Sequence, residues 1–154
     1  MSRTLAVMLA LALTVASHAL ERQVYPPPEQ APADIAAALK ISAVKHRRVI
    51  VDFGGNWCPD CQALDTYFHD AANQPILDAN FLLVHVNIGH LDRNLDIAAR
   101  YRIPLDKGVP ALAVLDKNGK LIYSQRTGEF EAMRHMESNA VTQFLERWKP
   151  GKAP

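Results

Sequence analysis

Apolar residues come in short blocks along this chain, broken by polar, proline or glycine positions, and their spacing predicts the elements. After a nearly unbroken apolar run over Leu5–Ala16, residues 20–33 hold Pro26, Pro27, Pro28 and Pro32 and predict an extended arm. Asp34 can cap a helix to about Lys45, with Ile35, Leu39 and Ala43 on one face. Arg48–Phe53 is short and rich in β-branched residues, as a strand should be. Helical spacing follows to about Ala72, and Asn73-Gln74-Pro75 breaks it before a short helix over Pro75–Ala79. Phe81–Ile88 predicts a second strand, and Asp92–Tyr101 a helix with Leu95, Ala98 and Ala99 inward. Strand Ala111–Leu115, turn Asp116-Lys117-Asn118-Gly119 and strand Lys120–Gln125 form a hairpin pattern. The end is predicted helical from about Phe130 to Trp148, with a restart at Ser138 as an alternative; Val141, Phe144, Leu145 and Trp148 make its apolar stripe.

Two cysteines, Cys58 and Cys61, sit where the first strand gives way to a helix, in Trp57-Cys58-Pro59-Asp60-Cys61. Unpaired N–H groups and the helix dipole favour negative charge at such a position, so a thiolate, the form that attacks disulfides, is stabilised there. A structural disulfide, or a share in a zinc site, is the plainer alternative for the pair. Asp52 stands in the middle of the preceding apolar strand, where a carboxylate is costly to bury.

Composition sets the context for that pair. Arg3, the apolar run and Ser17-His18-Ala19 together predict a secretory signal over residues 1–19, and hence a periplasmic or secreted protein. The run is too short to span a bilayer comfortably. In an oxidising compartment disulfides persist, yet a disulfide across four residues closes too small a loop to be a strong staple, so chemistry explains the pair better than stability. Lys and Arg total 17 against 16 Asp and Glu, and removal of Arg3 would balance them, which gives no indication of a nucleic-acid partner. His46, His69, His90 and His135 lack metal-ligand spacing, and no organic cofactor is expected. One domain is expected over residues 34–150, with a tail at 151–154 and a monomeric state.

The alternation of helices and strands, with a closing hairpin, is the layout of the thioredoxin fold: an α/β architecture in which a central mixed sheet is flanked by helices, here preceded by the extended arm. The chain resembles the thioredoxin family over roughly Arg48–Trp148 through Val49-Ile50-Val51-Asp52-Phe53, Trp57-Cys58-x-x-Cys61, Val109-Pro110 and Lys117-Asn118-Gly119-Lys120. More narrowly it resembles exported thioredoxin-like disulfide reductases. The resemblance implies that Cys58 attacks a substrate disulfide, that Cys61 resolves the mixed disulfide, and that Asp52 assists the proton transfer at Cys61. It further implies a cis bond at Pro110, a backbone edge at Val109 for a substrate strand, and a Trp57 that flanks the sulfurs. Pro59 and Asp60 would tune the potential; with no cation inside the motif, the reducing end is expected. Disulfide-containing proteins are the implied substrates, with a membrane-borne dithiol as electron donor. Oxidation or isomerisation of disulfides, and Cu(I) or Zn carriage by the two thiols, remain alternatives.

The chain also departs from the family pattern. Gly54-Gly55-Asn56 replaces an aromatic residue common after the strand, which predicts a more open or mobile site. His85 occupies a position where many thioredoxins carry a lysine near the buried acid. A pairing of His85 with Asp52 would couple their titrations, but the expected orientation is toward solvent or a helix.

Overall fold

A computed structural model describes residues 22–151; the predicted signal over residues 1–19 and most of the tail at 151–154 lie outside them. The elements in chain order are α1 (Ala31–Lys45), β1 (Arg48–Gly54), α2 (Pro59–Phe68), α3 (Gln74–Asn80), β2 (Phe81–Asn87), α4 (Leu95–Arg100), β3 (Ala111–Leu115), β4 (Leu121–Ser124) and α5 (Ala140–Trp148), with 3₁₀ turns at Pro28–Gln30, Leu105–Lys107 and Met133–His135. The strands form one sheet in the order β2-β1-β3-β4.

β1 runs parallel to β2 and antiparallel to β3, and β3 is antiparallel to β4. Strands linked by helices commonly pair in parallel; β1 and β2 do, but β3, also reached through a helix, does not. Length explains the exception. The six residues of α4 rise about 9 Å, well short of the roughly 23 Å of a seven-residue strand. The chain is not carried back across the sheet, and β3 starts at the end where β2 stops, with Ala111 opposite Phe53.

Alternation along β1 divides the core. Val49, Val51 and Phe53 pack on one side with Ile35 and Ala38 of α1 and Ile97 and Ala98 of α4. Ile50 packs on the other with Leu64 and Phe68 of α2, Leu77 of α3 and the apolar stripe of α5. Truncating the fully buried Leu64 to Ala would cost about 2–5 kcal/mol. Asp52 shares the parity of Ile50, and so stands on the face that α2 covers.

Several boundaries move for local reasons. α1 begins at Ala31, ahead of Asp34, because Pro32 lies in its first turn, where a missing N–H costs nothing. α2 ends at Phe68 rather than near Ala72: the Asp70 carboxylate accepts from the N–H groups of Ala72 and Asn73 and turns the chain out of the helix. Asn94 is left-handed just before α4, which shifts the helix start and buries Ile97 and Ala98, while Leu95 and Ala99 are exposed. Residues 130–139 hold only the 3₁₀ turn at Met133–His135, so the last helix is shorter than its pattern predicts.

The largest difference lies in the arm. Instead of trailing away, residues 22–27 lie against the cysteine end of the sheet. Tyr25 is buried in the core cluster that contains Cys58 and Cys61.

Candidate active site

The site is built at the C-terminal end of β1. Cys58 is the N-cap of α2, and its Sγ accepts the N–H of Cys61 at 3.2 Å. Pro59 occupies the first turn, where its geometry suits the helix. Cys58 and Cys61 are joined as a disulfide with Cα atoms 5.2 Å apart. Cys61 is fully buried and Cys58 nearly so. The Val109–Pro110 peptide bond is cis, and the carbonyl oxygen of Val109 lies 3.7 Å from Cys58 Sγ. A sulfur that keeps one N–H donor as a helix cap is set up to carry charge, while the Val109 carbonyl beside it is an acceptor and works against that charge.

Behind the disulfide lies a buried polar network. Asp52 is fully buried, and its Oδ2 accepts from the Tyr25 hydroxyl at 2.6 Å and pairs with His85 Nδ1 at 2.9 Å. Its Oδ1 is buried with no protein hydrogen-bond partner. The second His85 nitrogen, Nε2, reaches Asp65 Oδ1 on α2 at 3.3 Å. Asp65 also receives Arg22 of the arm and pairs with His69. The expectation that His85 faces solvent or a helix alone is thus corrected. In the parallel register His85 stands directly opposite Asp52, so both side chains leave the sheet on one face, and α2 closes over them with Asp65.

Burial works against charge on His85, but the hydrogen bonds to Asp52 and Asp65, with the charges behind them, outweigh it and raise the pKa to about 9. For Tyr25 every influence acts in one direction: burial first, then the Asp52 charge and hydrogen bond, hold the phenol proton on well above pH 10. Burial would raise Asp65, yet the hydrogen bond and charge of His85 prevail and its pKa falls.

Gly54, the last residue of β1, admits the arm. A Cβ on Gly54 would lie 2.5 Å from the Tyr25 hydroxyl oxygen and 2.7 Å from Cys61 Sγ. The expected opening at Gly54-Gly55-Asn56 is therefore filled, by an aromatic ring that arrives from about thirty residues upstream. Asn56 fastens it: its Oδ1 accepts from the N–H groups of Val24 and Tyr25, and its Nδ2 donates to the carbonyl of Tyr25.

The remaining motif residues face outward. The indole N–H of Trp57 donates to the carbonyl of Gly89 at 2.6 Å, and its ring stacks on His90. Asp60 is held by the backbone N–H and guanidinium of Arg134; these bonds outweigh the effect of its burial and lower its pKa. An open groove of about 480 Å³ beside the disulfide is lined by Arg22, Asn56, Trp57, Pro59 and Gln62. Among the described residues, no group of three or more His, Cys, Asp or Glu side chains is placed to hold a metal ion.

Tyr25, Asp65 and Arg134 were missed in the sequence. Asp65 carried a usable signal, because it lies four residues after Cys61 and so on the same face of α2. Tyr25 and Arg134 gave none, since each arrives through a non-local contact.

Comparison with known proteins agrees with this architecture. A thioredoxin-like family model matches residues 29–117, and the chain belongs to that family. A thioredoxin from Buchnera aphidicola subsp. Baizongia pistaciae is 33% identical over 76 residues, which is 49% of this chain and 62% of the relative. The chain thus spans less than two thirds of that relative's length. Among solved structures, a disulphide isomerase from Xylella fastidiosa Temecula1 superposes with a TM-score of 0.77 at 29% identity, covering 82% of this chain and 96% of that one. The germline-specific thioredoxin Deadhead of Drosophila shares the fold, with a TM-score of 0.54 at 14% identity over 77% of this chain and 95% of its own.

Proposed function

We propose that this protein is a thiol–disulfide oxidoreductase that reduces disulfides in exported protein substrates. The observation that carries the reading is the asymmetry of the pair: Cys58 caps a helix and meets the Val109 carbonyl, whereas Cys61 lies fully buried on the side of the Tyr25 hydroxyl. A Cys58 thiolate attacks one sulfur of the substrate disulfide and forms a mixed disulfide. Cys61 then loses its proton and attacks Cys58 Sγ. The substrate leaves as a dithiol, reduced by two electrons, and Cys58–Cys61 becomes the disulfide. Val109 offers a backbone edge to the substrate, and the groove beside Trp57 and Pro59 offers it an apolar rim.

The direction rests on charge. Asp60 places a carboxylate in the first turn of α2, and its Arg134 partner is engaged with that carboxylate. This restrains thiolate stabilisation at Cys58, and a less stabilised thiolate makes a more reducing couple. The leader pattern of residues 3–19 supports export, where a reductase requires an outside supply of electrons, for which a membrane-borne dithiol is the expected donor. The equilibrium potential of Cys58–Cys61 in a glutathione or dithiothreitol series tests the direction. A value near that of thioredoxin, about −270 mV, supports reduction; one near the oxidising extreme, about −120 mV, reverses it.

Isomerisation is the second reading, favoured by the likeness to the Xylella disulphide isomerase. Recovery of activity by a scrambled, fully oxidised ribonuclease, without net consumption of reductant, would select it.

A further inference from the structure

The resolving step requires the proton of Cys61 to leave a fully buried sulfur. The Tyr25 hydroxyl is close to that sulfur and is hydrogen-bonded to a carboxylate. The Tyr25 hydroxyl lies 2.6 Å from Asp52 Oδ2, and it shares with Cys61 Sγ the small space over Gly54, where a single Cβ would touch both. A hydroxyl can accept one proton while it donates another. The ring is fixed by burial, by its edge-on contact with His85 at 5.0 Å between centroids, and by the Asn56 clamp on its own backbone.

We propose that Tyr25, carried in by the N-terminal arm, relays the proton between Cys61 and Asp52. The inference rests on the oxidoreductase reading above, whichever net direction the couple runs. In resolution, the S–H proton of Cys61 passes to the Tyr25 oxygen as the Tyr25 proton passes to Asp52. The Cys61 thiolate then forms the bond to Cys58 Sγ, the bond from Cys58 to the substrate breaks, and the substrate sulfur leaves with the electron pair and is protonated by water. Asp52 then gives its proton up to solvent, and when a dithiol donor later reduces Cys58–Cys61, Cys61 departs as a thiolate and is reprotonated by the same route in reverse.

The groups that face the Tyr25 hydroxyl and its acceptor come from three elements: Asp52 from β1, His85 from β2, and Cys61 with Asp65 from α2. His85 is the positioning residue, since it holds Asp52 Oδ2 from the other side. A phenol that keeps its own proton at all ordinary pH values cannot act as a base by itself, and this leaves it the relay role.

The test mixes the reduced full-length chain with dithiobis(nitrobenzoate) in a stopped-flow instrument. The first thionitrobenzoate released reports attack by Cys58, and the second reports resolution by Cys61. Tyr25→Phe is expected to leave the first phase unchanged and to slow the second by at least about tenfold at neutral pH. The deficit should close as pH rises and Cys61 ionises unaided. A second phase at the wild-type rate, or equal slowing of both phases at every pH, overturns the relay. Should Tyr25→Phe not fold, Asn56→Ala decides: it retains the phenol but frees the arm, and the same selective slowing is expected. A wild-type chain that releases only the first equivalent would instead overturn the oxidoreductase reading, since no internal disulfide would then form.

Discussion

His85 and Asp52 are direct register partners on adjacent parallel strands, and their side chains meet at 2.9 Å beneath the disulfide. The imidazole continues to Asp65 on α2, so one histidine ties β1 and the edge strand β2 to the helix that carries the cysteines.

That tie should appear in the pH dependence of stability. The His85 pKa rises from 6.5 to about 9 on folding, so its contribution is fully present below pH 6.5 and is lost as pH climbs through 9. The upper bound is about 3 kcal/mol. Urea unfolding of oxidised wild type and His85→Gln at pH 6, 7.5 and 9 should give converging stabilities toward the alkaline end. Parallel curves would remove the pair from the stability of the fold.

Asp52→Asn removes the proton acceptor while preserving shape. Resolution of a mixed disulfide on Cys58 should slow by about tenfold or more, with the initial attack unaffected. An unchanged resolution rate in pre-steady-state kinetics would take Asp52 out of the chemistry.

Gly54→Ala introduces a Cβ against both the Tyr25 hydroxyl and Cys61 Sγ. The flanking strand cannot yield easily, so the arm must, and a loss of about 1–3 kcal/mol is expected from denaturant unfolding. Protease cleavage near Val24 should accelerate in parallel. An alanine variant as stable and as resistant as wild type would show that the arm is not packed there.

Asp60→Asn releases Arg134 from its ion pair and removes a negative charge from the first turn of α2. Both changes favour the Cys58 thiolate, and the couple should become more oxidising by roughly 10–20 mV. A shift toward more negative potential in a glutathione titration would contradict this account of the tuning.

Much of the framework was legible because it is local. The β-branched block at Val49–Phe53, the Asn118-Gly119 turn and the stripe Val141, Phe144, Leu145 and Trp148 declare their elements through composition and period, and Cys58 and Cys61 declare a helix start by position. The network behind the disulfide was less accessible. Alternation places Asp52 on a face of β1, but which residue of β2 lies beside it depends on strand register, a relation between distant segments. The arm was the extreme case. Pro26 and Pro27 argue correctly against a regular element over residues 22–27, but a segment without secondary structure can still be buried when side chains such as Asn56 satisfy its backbone groups.

The path of that arm has a practical consequence for anyone handling the protein. The carbonyl of Arg22 accepts from the Gln62 side chain, and Arg22 itself lines the groove beside Trp57. A purification handle, fluorophore or tether joined just upstream of Arg22 would therefore emerge at the mouth through which substrates approach. The other end of the described chain is differently placed: Pro150 and Gly151 border a cleft with Arg48 and Asp116, where β1 begins, at the opposite end of the sheet from the sulfurs. Immobilisation through that end leaves the disulfide facing open solution, and two otherwise identical preparations tagged at opposite ends should differ in apparent reactivity without any change in the chemistry of the cysteines.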